Sequence, residues 1–489
     1  GDRRGRGGMN GTGLSAQLFR RKPASTLMAE AESHSGGLKR ALGALDLTLL
    51  GIGAIVGAGI FVLTGVAAAE YAGPAIVVSF VVSGFACAMA ALCYAEFAAM
   101  IPVAGSAYSY SYATMGELVA WIIGWDLVLE YAVGAATVAS GWSGYLAILL
   151  HGLGINLPPQ WTHAPLATPS GIVNLPAVLI VLFITFVLYI GISESARFNS
   201  IIVGIKLFVI AAVIVVGAFY VKPENWSPFA PMGWSGVMRG AGVIFFAYIG
   251  FDAVSTAAEE VVDPNRDLPL GILGSLLVCT LLYILVAGVL TGMVPASHID
   301  ITAPLASAFL QRGMHAISGL ISLGAVAGLT SVLLVLMLGQ SRVFFAVARD
   351  GLLPPAFSKI HPKYRTPYIP TTLTGIAVAI AAGFLPIDDL GEMTSIGTLF
   401  AFVLVCIGVW ILRRAEPGLK RPFRTPLVPV VPALGAFCCL YLMASLREAT
   451  WIRLIVWLAI GLVIYFSYGR FHSRVHKSSV ADRAAASGR

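Results

Sequence analysis

One lysine, Lys206, stands alone in the apolar stretch Ile201-Ile-Val-Gly-Ile-Lys-Leu-Phe-Val-Ile210. A lysine with roughly seven apolar residues on one side and more than about ten on the other cannot easily snorkel to a membrane surface, and burying it costs several kcal/mol unless it is paired. It is therefore expected to face an interior. Burial disfavours the charged amine, so such a lysine is able to release its proton near neutral pH; a permanently charged strut is the alternative. Four acids also sit in apolar runs: Glu96, Asp126, Glu130 and Asp252. Asp126 and Glu130, four residues apart, share one helix face and repel unless a partner intervenes. Glu130 is deep enough to hold loose backbone N–H groups or to transfer a proton. Asp252 would cap the start of a half-helix, whereas Glu96 and Asp126 are expected nearer the cytoplasmic end or a helix interface.

Two glycine-bearing segments supply the second kind of chemistry. Gly51-Ile-Gly-Ala-Ile-Val-Gly-Ala-Gly-Ile-Phe61 places four glycines within nine residues, and Phe245-Phe-Ala-Tyr-Ile-Gly-Phe-Asp252 places a glycine and a carboxylate at similar depth in a later apolar run. Glycine weakens a helix interior, so both segments are candidates for helices broken mid-membrane. Backbone that leaves the helix inside a bilayer is tolerated only where protein or a water-filled cavity satisfies it, so such a break is a ready binding site. The half-helix starting near Val56 to Gly59 would present N–H groups and a positive dipole end to a carboxylate. The half-helix ending near Phe246 to Ile249 would present carbonyls to an ammonium. A ligand carrying both groups on one carbon is an α-amino acid. The competing explanation of the glycines is close helix packing through Gly53 and Gly57. A dinucleotide fingerprint fails, because Val56 stands where GxGxxG needs glycine and no strand precedes it.

These residues need membrane-crossing elements to position them. The chain has 489 residues, 58% hydrophobic and 11% charged, against about 25% charged in soluble proteins, too few charges to coat a water-facing surface. Twelve stretches of about 20 apolar residues can be read: 46–69, 75–100, 117–150, 172–192, 198–220, 236–260, 269–294, 314–346, 370–385, 392–412, 428–446 and 451–468. The first and sixth carry the suspected breaks, the spacing of two inverted five-span repeats with two spans appended. Of the 31 Lys and Arg, 25 fall in segments on one side; Lys222, Arg239, Arg312, Arg447 and Arg453 fall on the other. The positive side is cytoplasmic, which predicts both termini there. The positive charges are dispersed between apolar runs rather than clustered, so no nucleic acid is expected. The six cysteines and eight histidines show no metal-ligand spacing and no disulfide framework, and no catalytic set of a membrane enzyme is apparent. Residues 1–40 read as a cytoplasmic tail, disordered or partly artificial and without a signal peptide's pattern; 41–413 as a ten-helix core; 414–470 as two added helices; 471–489 as a second tail.

Gly51 to Phe61, Phe246-Ala-Tyr-Ile-Gly-Phe-Asp-Ala-Val-Ser-Thr-Ala-Ala-Glu-Glu260 with Asn265-Arg-Asp-Leu-Pro269, Ser195-Ala-Arg-Phe-Asn199 with Lys206, and Gly339-Gln-Ser-Arg-Val-Phe-Phe-Ala-Val-Ala-Arg-Asp-Gly-Leu-Leu-Pro354 resemble the amino acid–polyamine–organocation superfamily, and within it bacterial members of the cationic amino acid transporter branch. The likeness spans about 40–470. It implies an all-α membrane protein of the leucine-transporter fold, ten core helices plus two, working by alternating access. Carried over, Ile55, Ala58 and Gly59 would receive the substrate carboxylate, and Phe246, Ala247 and Ile249 would supply carbonyls to its amino group. In a transporter of this kind, Phe246 or a neighbour would close above the substrate as a gate. Glu130 would steady the unwound region with Gly57 and Asp252 in support, and Lys206, against span one and the hydroxyls of Thr330 and Ser331, would replace sodium as the coupling site. Protons would then be the coupling ion, with no cofactor, metal or sodium. Leu336 departs from the small polar residue found in animal arginine and lysine carriers. A bulky apolar wall there dries and shortens the pocket, and a second buried charge would be costly, so small neutral substrates such as alanine are expected. Ala58, where several relatives carry Thr or Ser, leaves backbone N–H groups as the main carboxylate donors. The resemblance places the chain in the plasma membrane and leaves a small membrane partner open. A uniporter or exchanger, including one for arginine or lysine with Lys206 as a fixed charge, is the alternative.

Overall fold

The structure is a computed structural model that describes residues 18–22, 42–100, 106–191, 196–251, 254 and 261–474. Among these residues it is built of helices, with a single isolated β-bridge between Leu42 and Val261. The first expected span is two pieces, α1 (Ala44–Ile55) and a second half α2 (residues 59–72) that runs through alternating π and α turns. There follow α3 (Ile76–Met100), the short α4 (Ser106–Thr114), α5 (Glu117–Gly152), α6 (Leu175–Ile190), α7 (Ala196–Ala218) and α8 (Gly233–Ile244), the last continued by a 3₁₀ turn over Phe245–Tyr248. Then come α9 (Pro264–Met293), α10 (Pro304–Leu310), α11 (His315–Arg349), α12 (Tyr368–Phe384), α13 (Ile387–Ala415), α14 (Val430–Ser445) and α15 (Glu448–Ile464). A helix or broken helix stands at each of the twelve apolar stretches. Seven helical stretches among the described residues are long and apolar enough to cross a membrane, and α1, α6, α12 and α14 are shorter apolar helices.

Local chemistry sets several of the ends. α6 starts behind Asn174, whose side chain accepts from the Ala177 N–H, and stops at Gly191 in the left-handed conformation. Pro264 and Pro304 open α9 and α10, where a missing N–H costs nothing. The long helices are apolar on all sides, as expected of helices that meet protein on one face and lipid on the other. Phe183, Phe186, Leu277, Leu281, Ile376 and Ile380 point outward, an apolar surface that water would not tolerate over this extent.

The two longest helices, α5 and α11, make the most extensive packing contact and form the spine of the core. α15 is sewn to α5 by stacked Trp121, Trp125 and Trp457, whose indole N–H groups donate to the backbone carbonyls of Gly461, Trp457 and Trp125. At one end of the bundle, fully buried Glu392 of α13 accepts from Tyr71, Arg447 and Thr450 and lies 3.6 Å from Arg239. At the other, residues 18–22 are seated on the core rather than free: the buried Lys22 ammonium is 3.0 Å from Asp350, and its N–H donates to the Tyr112 carbonyl. That part of the expected tail is docked. Glu96 is buried, paired with Arg413, and accepts from the Thr425 N–H.

Candidate functional site

The site begins where α1 stops. Val56 turns to φ −73°, ψ 93°, and its N–H makes the last intrahelical bond, to the Ile52 carbonyl. The carbonyls of Gly53, Ala54 and Ile55 lie beyond that bond and need other donors. Two receive them from side chains on neighbouring helices. The Lys206 ammonium donates to the Gly53 carbonyl at 2.8 Å, and the Tyr283 hydroxyl donates to the Ile55 carbonyl at 3.0 Å. The next helical bond is from Phe61 N–H to the Gly57 carbonyl at 3.2 Å, so the amides of Ala58, Gly59 and Ile60 are the open N–H groups of the second half.

The break after α8 mirrors this. Ile249 is extended, at φ −61° and ψ 137°, and Gly250 takes φ +116°. Ser395 of α13 splices the helix end: its hydroxyl donates to the Val243 carbonyl at 2.9 Å and accepts from the Phe246 N–H at 3.2 Å. The Phe246 carbonyl accepts from the Ile249 N–H, and the Ala247 carbonyl accepts from Tyr283 at 2.7 Å. A single tyrosine on α9 therefore bridges carbonyls of both breaks, its one proton shared between them. Each carbonyl has a second lone pair, so these bonds leave acceptor capacity.

Two glycines let the breaks meet backbone to backbone. A Cβ on Gly59 would stand 2.3 Å from the Ala247 Cα, and one on Gly250 would stand 2.8 Å from the Ala54 carbonyl carbon, at a φ that L side chains rarely adopt. Other glycines of the run serve packing: a Cβ on Gly51 would strike Ser275 of α9, and one on Gly57 would press on Val332. The broken helix and the close-packed helix, alternatives in the sequence, are both present, at different glycines.

Between the breaks lies a narrow cavity of about 20 Å³ lined by Ala54, Ile55, Gly57, Ala58, Glu130, Gly134, Phe246, Ile249, Val332, Leu336 and Thr394. That is room for about one water molecule. The geometry brings Ile55, Gly57, Ala58, Glu130, Phe246, Ile249 and Leu336 together at the cavity wall. Gly59 and Ala247 instead form the contact between the two breaks. Lys206 is buried beside the Gly53 carbonyl, with its stem along Gly328 of α11. Thr330, expected beside the lysine, is turned away from it. Two residues beyond Gly328, it faces roughly the opposite side of α11, where its hydroxyl donates to the Val326 carbonyl and accepts from Trp142 of α5. Ser331, three residues beyond Gly328 and buried, is on the lysine side. Asp126, one turn before Glu130, does not reach the cavity; it is buried against Gly397 of α13. Asp252 lies outside the described residues. Sequence reading missed Tyr283, Ser395, Thr394 and Gly134. A tyrosine, a serine and a threonine within apolar helices were the available signal, but such hydroxyls more often bond their own helix.

Paired helix breaks around a buried cavity, inside a bundle with an apolar exterior, define a multi-pass membrane transporter. The chain belongs to the amino acid permease family, whose profile matches residues 42–470, within the amino acid–polyamine–organocation superfamily. It is 49% identical to a methylthioribose transporter of Bacillus subtilis over 94% of this chain and all of that protein. It is 50% identical to a branched-chain amino acid permease of the same species over 95% of this chain and all of that protein. Cationic amino acid transporter 9 of Arabidopsis thaliana, a chloroplastic protein, is 37% identical over 92% and 91% of the two chains.

Proposed function

We propose that the protein carries neutral, apolar α-amino acids, small ones such as alanine foremost, across the plasma membrane by proton-coupled alternating access in a leucine-transporter fold of five-plus-five helices and two more. The carrying observation is the apposition of the two breaks. The amides of Ala58 and Gly59, without a helical partner, would receive the carboxylate, and the carbonyls of Phe246, Ala247 and Ile249, across the Gly59–Ala247 contact, would receive the ammonium. Helix ends supply these partial charges without burying a counter-ion.

The cavity as it stands is too small for any amino acid, so entry requires the Phe246 ring and the Leu336 side chain to draw back. Glu130 lies at the wall, within reach of the break it would steady. Lys206 occupies the position of a monovalent cation at the end of α1, with protons as coupling ion and no sodium. Both termini are cytoplasmic on the charge asymmetry. The branched-chain permease among the relatives supports an apolar pocket over a charged one.

The reading is tested with purified protein in proteoliposomes. Labelled alanine should accumulate severalfold when an inward acid gradient is imposed, and labelled arginine should not; equal uptake with and without the gradient would favour a uniporter or exchanger. Leu336 stands against the cavity with its side chain buried. Leu336→Ser should widen acceptance toward arginine by roughly tenfold relative to alanine, the scale of one pocket contact. An unchanged ranking would remove Leu336 from the pocket.

A further inference from the structure

We infer that Gly134 of α5 sets the largest side chain the site accepts, and that this limit lies at branched, leucine-sized chains rather than at alanine. The inference rests on the cavity between the breaks being the substrate site. Gly134 stands in the interior of a 36-residue helix, where glycine costs about 1 kcal/mol relative to alanine. Something local must favour the missing methyl.

Backbone packing does not. A Cβ at Gly134 would meet Thr394 Cγ2 at 3.4 Å, Phe246 Cε2 at 3.5 Å and Leu336 Cδ1 at 3.7 Å, all ordinary contacts with side chains. Two turns further along the same helix the situation is different: a Cβ on Gly141 would stand 2.5 Å from Val62 Cγ2, so the helix could not pack there with a larger residue. Gly134 is thus the glycine of α5 at which a methyl is compatible with the fold yet would project into the cavity.

Its position explains what the methyl would do. The side chains converging on it come from three separate elements: the gate turn, α11 and α13. When the Phe246 ring and Leu336 draw back to admit a substrate, the space they leave opens against the Gly134 wall. With its ammonium and carboxylate at the breaks, a substrate would send the part of its side chain beyond Cβ into the space between the Phe246 ring, Leu336 and Gly134. Alanine ends before reaching it. Leucine and isoleucine do not, and their apolar branches would fill the volume that a Cβ on residue 134 would take. The surrounding Val332, Leu336 and Phe246 suit hydrocarbon, and Thr394 donates its hydroxyl to the Leu390 carbonyl, turning its methyl toward Gly134.

The test uses counterflow in proteoliposomes, reading apparent affinities for leucine and alanine in the parent, in Gly134→Ala and in Gly134→Ala combined with Leu336→Ala. The parent should carry both amino acids. The leucine-to-alanine affinity ratio should fall at least about tenfold in Gly134→Ala, the effect of one methyl group's worth of pocket, and should recover in the double variant, which removes bulk from the facing wall. A ratio unchanged in Gly134→Ala overturns the inference, as does a parent that carries alanine but excludes leucine. A Gly134→Ala protein that fails to fold overturns it too, because the contacts require a methyl to fit. A parent that carries neither amino acid instead overturns the assignment of the cavity as the substrate site.

Discussion

Lys206→Ala should abolish accumulation driven by an acid gradient while leaving amino acid counterflow measurable. The lysine does the work of a helix C-cap. α1 ends in the membrane interior with carbonyls beyond its last bond, a locus of negative partial charge, and the ammonium answers one of them at 2.8 Å from α7 while its stem lies on α11. A charge-assisted bond of this kind contributes about 1.5–3 kcal/mol, or roughly 10- to 100-fold in the balance between conformations that make it and conformations that do not. Coupling needs that difference, since a ligand bound equally by both states shifts neither. A neutral amine makes the weaker bond, so on the proposed mechanism loss of the proton would loosen α1 from α7 and α11, as alternating access would require. Lys206→Met separates the charge from the packing, because it keeps most of the stem and drops the ammonium. It should behave like Lys206→Ala in gradient-driven uptake and fold more stably. Alanine accumulation by either variant that responds to the acid gradient as the parent does would make the lysine a strut.

The elements were easy to read and their inner geometry was not. Long apolar runs separated by polar segments place helices to within a few residues: the stretch at 117–150 becomes Glu117–Gly152, and 269–294 becomes Pro264–Met293. The breaks were legible because glycines weaken an apolar helix, although some of the same glycines serve close packing, and Lys206 because a charge inside an apolar run demands a partner. The partners of these features were not legible. Tyr283 lies 228 residues from Ile55 and 36 from Ala247, and nothing along the chain says that one hydroxyl will bridge both carbonyls. Ser395 looks like any small residue of an apolar helix until α13 is laid beside the end of α8. Thr330 shows the converse error: proximity to Ser331 in sequence suggested a shared role, but one residue is about 100° on a helix, enough to turn it to Trp142. Residues 18–22 look like tail from their charged composition; their docking depends on Asp350, more than 300 residues away.

Gly59→Ala should eliminate both transport and binding. The added carbon would lie 2.3 Å from the Ala247 Cα, 2.4 Å from its Cβ and 3.1 Å from its N, and two of those three atoms are backbone, which no rotamer change can move away. Side-chain overpacking costs about 1–3 kcal/mol; here the relief must come from parting the two half-helices themselves. Parting them withdraws the carbonyls of Phe246 and Ala247 from the amides of Ala58 and Gly59, so an α-amino acid could engage one end or the other but not both. Losing either charge-assisted set is expected to weaken binding by roughly 100-fold or more. The measurement is the rise in melting temperature of detergent-solubilised protein on adding saturating alanine, together with counterflow. Gly319→Ala supplies the control, since a Cβ there meets nothing within 4 Å and alanine favours the helix; it should melt no lower than the parent and still be stabilised by substrate. A Gly59→Ala protein that is stabilised by alanine to the parent's degree would show that the two breaks need not touch for the site to work, and would move the substrate away from the junction between them.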